Sequence, residues 1–246
     1  MSVELLPAMP QFAAGDDVAG AIVASARLAG LEIGADDVVV VAQKIVSKAE
    51  GRAVDLDTVH ADPQALELAA LTGREPALAQ LVLDEAQSVM RATPQAIITR
   101  HRIGHVTANS GIDASNVDGG RVLLWPLDPD ASARAIRAAL PGKPAVIIAD
   151  SLGRAWRQGT LGTAIGCAGL VHTDDRRGQS DMYGRTLQAT IVAIADALAA
   201  FSVLAMGEGA EGTPVAVIRG AGRWITEEDG EGAATIMRPV AGDMFP

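Results

Sequence analysis

Cysteine is nearly absent from this chain, with Cys167 the only one. No internal disulfide can form, and the composition fits the reducing cytoplasm. Lysine is scarce too: there are three, and Lys44 and Lys48 stand four residues apart. Positive charge is in the minority overall, with a formal net charge of −10. That balance argues against nonspecific nucleic-acid binding, which needs a basic surface. An anionic ligand would have to be held locally, by a few cations and a metal. The opening MSVELLPAMP lacks the basic start and apolar core of an export signal. No G-x-x-x-x-G-K-[ST] block is present, which excludes a P-loop. Residues 189–206 are nearly all apolar and about the length of a membrane span, yet Asp196 lies near the middle and alanine dominates. A helix buried in a soluble protein, with no membrane partner, is the expectation.

What is present is a globular composition, 49% hydrophobic and 20% charged, over 246 residues. That is enough for a substantial core. The densest chemistry falls in residues 146–169. Val146, Ile147, Ile148 and Ala149 read as a buried strand that ends at Asp150-Ser151. Gly153-Arg154-x-x-Arg157-x-Gly159 follows. A carboxylate and a hydroxyl at a strand mouth suit a hard cation. Paired guanidinium donors suit phosphate or carboxylate oxygens. For any one of these residues a capped turn with solvated arginines is explanation enough. The set as a whole favours a site.

In chain order, Gly15-Asp16-Asp17 precedes a helix running to Leu28, and Val38 to Ala42 form a central strand. Lys44 and Lys48 then share one face of whatever element carries them. Helices are predicted from Pro63 onward and over 75–91, and strands over 95–100 and 121–125. Between those strands, Asn109-Ser110-Gly111-Ile112-Asp113-Ala114-Ser115-Asn116 has turn chemistry and gathers Asp113, Ser115 and Asn116 as oxygen donors. A helix over 130–140, a polar loop over 172–185, the alanine-rich helix and a strand over 214–219 follow.

Gly207-Glu208-Gly209-Ala210-Glu211-Gly212 matches G-x-G-x-x-G formally. A dinucleotide turn should follow a strand and open a helix, whereas here a helix precedes and Pro214 follows. Two glutamates would also repel a pyrophosphate unless a cation lay between, so a metal-bridged phosphate loop fits better, against a plain helix cap with exposed acids. Ala149-Asp150-Ser151-Leu152 faintly resembles the Gly-Asp-Ser-Leu block of a hydrolase family, with Ser151 as nucleophile. That chemistry needs a downstream histidine base, and the last histidine is His172. Histidines 60, 101, 105 and 172 lack zinc-ligand spacing.

Four blocks, in order over nearly the whole chain, resemble the coenzyme F420:L-glutamate ligase family. They are residues 43–52 (QKIVSKAEGR), residues 109–116, Asp150-Ser151-x-Gly153-Arg154 and Met206-Gly207-Glu208-Gly209. The resemblance implies an α+β fold of two interlocked α/β-type subdomains with mixed or antiparallel sheets, in an intertwined homodimer. It implies a single ligase domain over 1–246 with no reductase-like domain after it. The implied reaction adds L-glutamate to the phospholactate arm of F420-0, with GTP as cosubstrate. Two divalent ions, magnesium or manganese, and potassium as a further candidate, are the implied metals.

Carried over by residue, the resemblance makes Asp113, Asp150, Ser151 and Glu208 metal ligands. It places Gln43, Lys44, Lys48, Asn116, Met206, Gly207, Gly209, Ala210, Glu211, Gly212 and Thr213 on GTP. Asp113, Asp150, Glu208 and Arg154 are the expected catalytic residues, and Arg154 with Arg157 is also a candidate for holding glutamate. Met9-Pro10-Gln11-Phe12 matches the family's N-terminal element loosely. The residues suit such chemistry: an acyl phosphate needs metal and cationic clamps on the moving phosphoryl group, and no protein nucleophile. The alternative from another class is a noncatalytic, regulatory metal- and nucleotide-binding protein.

Overall fold

Four consecutive valines explain the centre of the molecule. A strand wet on one face alternates apolar and polar residues; an unbroken run needs cover on both faces. In the computed structural model, which describes residues 1–115 and 119–243, Val38 to Val41 are all fully buried in β2 (Val38–Ala42). Strand β2 pairs parallel with β8 (Ala145–Arg154) and antiparallel with β12 (Val215–Arg219). With β1 (Ser2–Leu5) and β9 (Arg157–Ala168) the sheet order is β1-β12-β2-β8-β9.

The two-residue repeat of the strands then divides the core. Val39, Val41, Val146, Ile148 and Val217 pack with Ile22 and Ala26 of α1 (Val18–Leu28), Ile45 and Val46 of α2 (Gln43–Ala49), and Ala133 and Ile136 of α5 (Pro129–Ala139). Val38, Val40, Ile147, Ala216 and Ile218 pack on the other side with Leu198, Ala199 and Val203 of α6 (Ile194–Met206). Helix α6 lies so close to β9 that a Cβ at Gly162 would come within 2.6 Å of the Ala199 carbonyl oxygen. Asp17 and Asp128 cap α1 and α5 by accepting from the backbone N–H groups of Gly20 and Ala131.

A second region is built from smaller pieces. Strands β4 (Ala86–Ala92), β5 (Ile97–His101) and β6 (Val106–Ala108) form an antiparallel sheet, and β3 (Ala53–Asp55) pairs with β7 (Arg121–Leu123). Helices α3 (Pro63–Thr72) and α4 (Pro76–Glu85) cover them with Ala65, Leu68 and Val82 against Ile97, and Leu81 against Val122 and Leu124. At the end of α4 the Glu85 carboxylate receives Arg52 Nη2 at 2.7 Å, Arg102 Nε at 3.0 Å and His101 Nε2 at 3.2 Å. Burial acts to raise the Glu85 pKa, but the His101 and Arg52 bonds and the arginine charges outweigh it and hold it at about 2.

Three expectations change. The predicted helix over 75–91 stops at Glu85, and residues 86–92 form β4 against β5. The three partners of Glu85 hold the chain there, and beyond it the helix would have no apolar stripe to bury. The buried strand through Val146 to Ala149 does not end at Asp150. Strand β8 continues to Arg154, because Asp150, Ser151, Leu152 and Gly153 find partners in Thr163, Gly162, Leu161 and Thr160 of β9. The alanine-rich helix begins at Ile194, since Ile191–Ala193 is β11, paired with β10 (Thr173–Asp175). Among the described residues no helix is long and apolar enough to cross a membrane. The mixed α+β class and largely antiparallel sheets are as expected.

The acidic tail is pinned to α5. Asp130 accepts from the backbone N–H groups of Ala233, Ala234 and Cys167, while Arg137 donates to the Asp229 carboxylate and to the carbonyls of Thr226 and Glu227.

Candidate functional site

The parallel pair β2 and β8 reaches one edge of the sheet in register, Ala42 beside Ala149. Ligands of open α/β sheets commonly bind outside the carboxyl ends of such strands. Here Ala42 leads straight into α2, which turns Gln43, Lys44 and Lys48 towards a cleft of 550 Å³. Asp150 and Ser151 line it from β8, and residues 206–214 line it between α6 and β12. The Ala42 N–H donates to the Pro214 carbonyl at 2.8 Å, tying the loop to the strand edge. Met9, Pro10, Gln11 and Phe12 complete the rim.

Asp113, from the second region, does not line the cleft itself and meets it through Lys44. The Asp113 N–H and carbonyl exchange hydrogen bonds with Leu123 at 3.0 and 2.7 Å. Lys44 Nζ reaches Asp113 Oδ2 at 2.7 Å and Ser115 Oγ at 2.6 Å, and the Ser115 N–H donates to Asp113 Oδ1 at 2.6 Å. Burial works to raise the Asp113 pKa, but the Lys44 and Ser115 bonds win and hold it below the usual carboxylate range. Asp150 is treated differently. Burial, with the Asp113 charge adding to it, pushes its pKa up to about 6 against hydrogen bonds from the Trp125 indole and the Ser151 N–H. The Lys44 ammonium is bonded to Asp113 and acts on Asp150 only as the smallest of the contributions to its pKa.

Ser151 Oγ donates to Glu208 Oε2 at 2.9 Å, so the loop acid stands over the strand hydroxyl. Glu211 folds back on its own loop, accepting from the Gly209 N–H at 2.8 Å, and Thr213 Oγ1 donates to the Met206 carbonyl at 2.9 Å. Gln43 is almost fully buried; Ser47 Oγ donates to its Oε1, and among the described residues its Nε2 has no partner. A buried donor at a cleft wall costs free energy unless a ligand oxygen meets it.

The four expected metal ligands offer only oxygen, which suits magnesium or manganese and not zinc. Ser151 is hydrogen-bonded to Glu208, and the Asp113 charge is felt at Asp150. Among the described residues no three acids, histidines or cysteines gather into a self-sufficient cage. Magnesium commonly takes one or two protein carboxylates and completes its shell with water and substrate phosphates. The residues fit a cation shared with a phosphate chain. No described histidine bonds to Ser151, and His172 pairs with Thr235 instead, so the hydrolase reading has no base.

Not every expected residue is gathered here. Arg154 stands at the exposed tip of the β8–β9 hairpin, donating to the Gly159 carbonyl at 3.3 Å, and neither it nor Arg157 lines the cleft. Asn116 lies outside the described residues. Sequence reading passed over Trp125, whose indole N–H donates to Asp150 Oδ2 at 2.7 Å. Its only sequence signal is rarity, as one of three tryptophans.

With this geometry in hand, the family model described as F420-0:Gamma-glutamyl ligase matches residues 8–220. A coenzyme F420:L-glutamate ligase of Methanothermobacter thermautotrophicus is 42% identical over 241 residues, covering 96% of this chain and 95% of the relative. One from Methanopyrus kandleri is 41% identical over 250 residues, covering 100% and 97%, respectively. One from Methanocaldococcus jannaschii is 42% identical over 213 residues, covering 85% and 84%.

Proposed function

The chain belongs to the F420-0:gamma-glutamyl ligase family, and from that premise we propose that it is the GTP-dependent ligase joining L-glutamate to coenzyme F420-0. The observation that carries this reading is the convergence of Gln43, Lys44, Lys48, Asp150, Ser151 and the 206–213 loop on one cleft.

The γ-phosphoryl group of GTP passes to the terminal carboxylate of F420-0, giving an acyl phosphate and GDP. The α-amino group of glutamate attacks the acyl carbon, the C–O bond to phosphate breaks, and an amide and inorganic phosphate result. Lys44 and Lys48 place cationic charge along the phosphate chain, and the Gln43 amide donates to an oxygen of the nucleotide. Asp113, Asp150, Ser151 and Glu208 would hold divalent magnesium or manganese, with potassium as a further candidate ion. When bound, these ions neutralise charge that builds on the phosphate oxygens.

The same reading makes the chain a homodimer in the cytoplasm. Trp156 at the hairpin tip and Leu204 on α6 are 87% and 85% exposed, apolar surface that a second copy would cover. Light scattering should show twice the chain mass; a fully active monomer at micromolar concentration would overturn this part. The activity itself is tested by incubating the protein with GTP, L-glutamate and F420-0 and weighing the products. A glutamate adduct with GDP release is expected; GTP binding without adduct would favour the regulatory alternative.

A further inference from the structure

Asp150 and Asp113 come from different regions, and one side chain touches both arms. Trp125 is fully buried. Its indole N–H meets Asp150 Oδ2 at 2.7 Å, and the Ser151 N–H meets Oδ1 at 2.9 Å. A carboxylate bonded at both oxygens cannot turn about its last torsion. On the other side, the ring lies against Gly111, two residues before Asp113. A Cβ at Gly111 would fall 2.3 Å from Trp125 Cε2, and the Gly111 φ of +68° also favours glycine. The ring itself is fixed. His101 lies against it at 4.9 Å between centroids and His105 meets it edge-on at 5.5 Å. The Trp125 carbonyl accepts from Arg52 Nε at 2.8 Å.

We propose that Trp125 is a positioning residue for the ligase reaction, setting the orientation of Asp150 and the seat of the Asp113 turn so that both acids face one cation. This rests on the reading of the cleft as a cation-assisted nucleotide site. The choice of donor has a physical reason. A lysine or arginine at this position would orient Asp150 but cancel its charge, whereas an indole N–H orients it and leaves the charge for the ligand. The Lys44 ammonium goes to Asp113. Burial alone would ask Trp125 for any hydrogen-bond acceptor; the fold supplies the acid that lines the cleft.

The test compares wild type, Trp125→Phe and Asp150→Asn by calorimetric titration with the imido analogue of GTP, once with Mn²⁺ and once with EDTA. Phenylalanine keeps an aromatic ring between the histidines and removes the donor. Wild type should bind more tightly with Mn²⁺. Trp125→Phe should lose about tenfold of that metal-dependent gain, the usual scale for a group that orients a metal ligand, and keep its EDTA affinity within about twofold. If Trp125→Phe keeps the full gain, or loses affinity equally with and without metal, the positioning role is overturned while the nucleotide reading stands. If wild type shows no gain and Asp150→Asn behaves like it, the cation reading fails and takes this inference with it. Circular dichroism checks folding. Should phenylalanine leave the chain unfolded, site-specific insertion of benzothienylalanine, which keeps the bicyclic outline without the N–H, gives the same comparison.

Discussion

The sheet edge that lines the cleft and the region that brings Asp113 to Lys44 are held together by different physics. The β2–β8 edge is fixed by backbone register inside an apolar sheet, with Val38 to Val41 and Val146 to Ile148 wholly buried. The region carrying Asp113 has small apolar clusters and a buried charge network centred on Glu85, reaching Arg52, Arg102 and His101. Apolar burial is indifferent to pH and weakly dependent on salt; a charge network depends on both. The cleft is therefore set by a scaffold that solution conditions barely touch. The region that carries Asp113 to Lys44 can be loosened without unfolding that scaffold.

The largest effect expected from breaking this comparison is in the sheet. Ile147→Ala removes a fully buried side chain packed on the α6 side and should cost roughly 3–4 kcal/mol. Urea melts should show that loss equally at pH 5 and pH 8. A loss confined to one pH would contradict the apolar account.

Glu85→Gln should cost somewhat less, about 2–3 kcal/mol, because Arg102 is 32% exposed and water screens part of the unpaired charge. The same carboxylate predicts a pH dependence. Its folded-state pKa is depressed from 4.5 to about 2. The stabilisation is therefore complete above pH 4.5 and is lost as pH falls towards 2, to a total of ~3 kcal/mol. Hydrogen exchange should show amides of β4 and β5 opening across that window before those of β2 and β8. Simultaneous opening of both sheets would remove the distinction between the regions.

A smaller effect separates the cleft wall from the remaining surface. Lys48→Ala should weaken GTP binding by about 1.5–3 kcal/mol, the range for hydrogen bonds to charged groups. Lys143→Ala, in the exposed turn before β8, should leave it unchanged. Equal affinities by calorimetry with Mg²⁺ present would remove Lys48 from the nucleotide site.

The same contrast decides what could be read in advance. The valine run was legible as a central strand because only cover on both faces permits it, and Gln43, Lys44, Lys48, Asp150, Ser151 and the 206–213 loop all line the resulting cleft. The end of α4 was not legible. Glu85 is engaged by partners 33 and 17 residues away, which no local period reveals. The continuation of β8 past Asp150 was hidden because its apolar run gives way to Asp150, Ser151 and Gly153, and what extends it is pairing with Thr163, Gly162, Leu161 and Thr160 across the hairpin. Trp125 acts on Asp150 across 25 residues of chain. Elements made by local pattern were visible; those made by distant polar partners were not.

The central claim is that the cleft binds GTP through a cation held between loop and strand, and Glu208 tests it most directly because the competing readings differ in sign. GTP is titrated into wild type and Glu208→Gln, with and without Mg²⁺, alongside turnover with glutamate and F420-0. As a metal ligand, Glu208 gives up an anionic oxygen when replaced by glutamine. Metal-dependent binding and turnover should both fall, and higher Mg²⁺ should restore part of the loss. Were Glu208 only an exposed acid at a helix end, its replacement would relieve repulsion; tighter GTP binding with undiminished turnover would contradict the account.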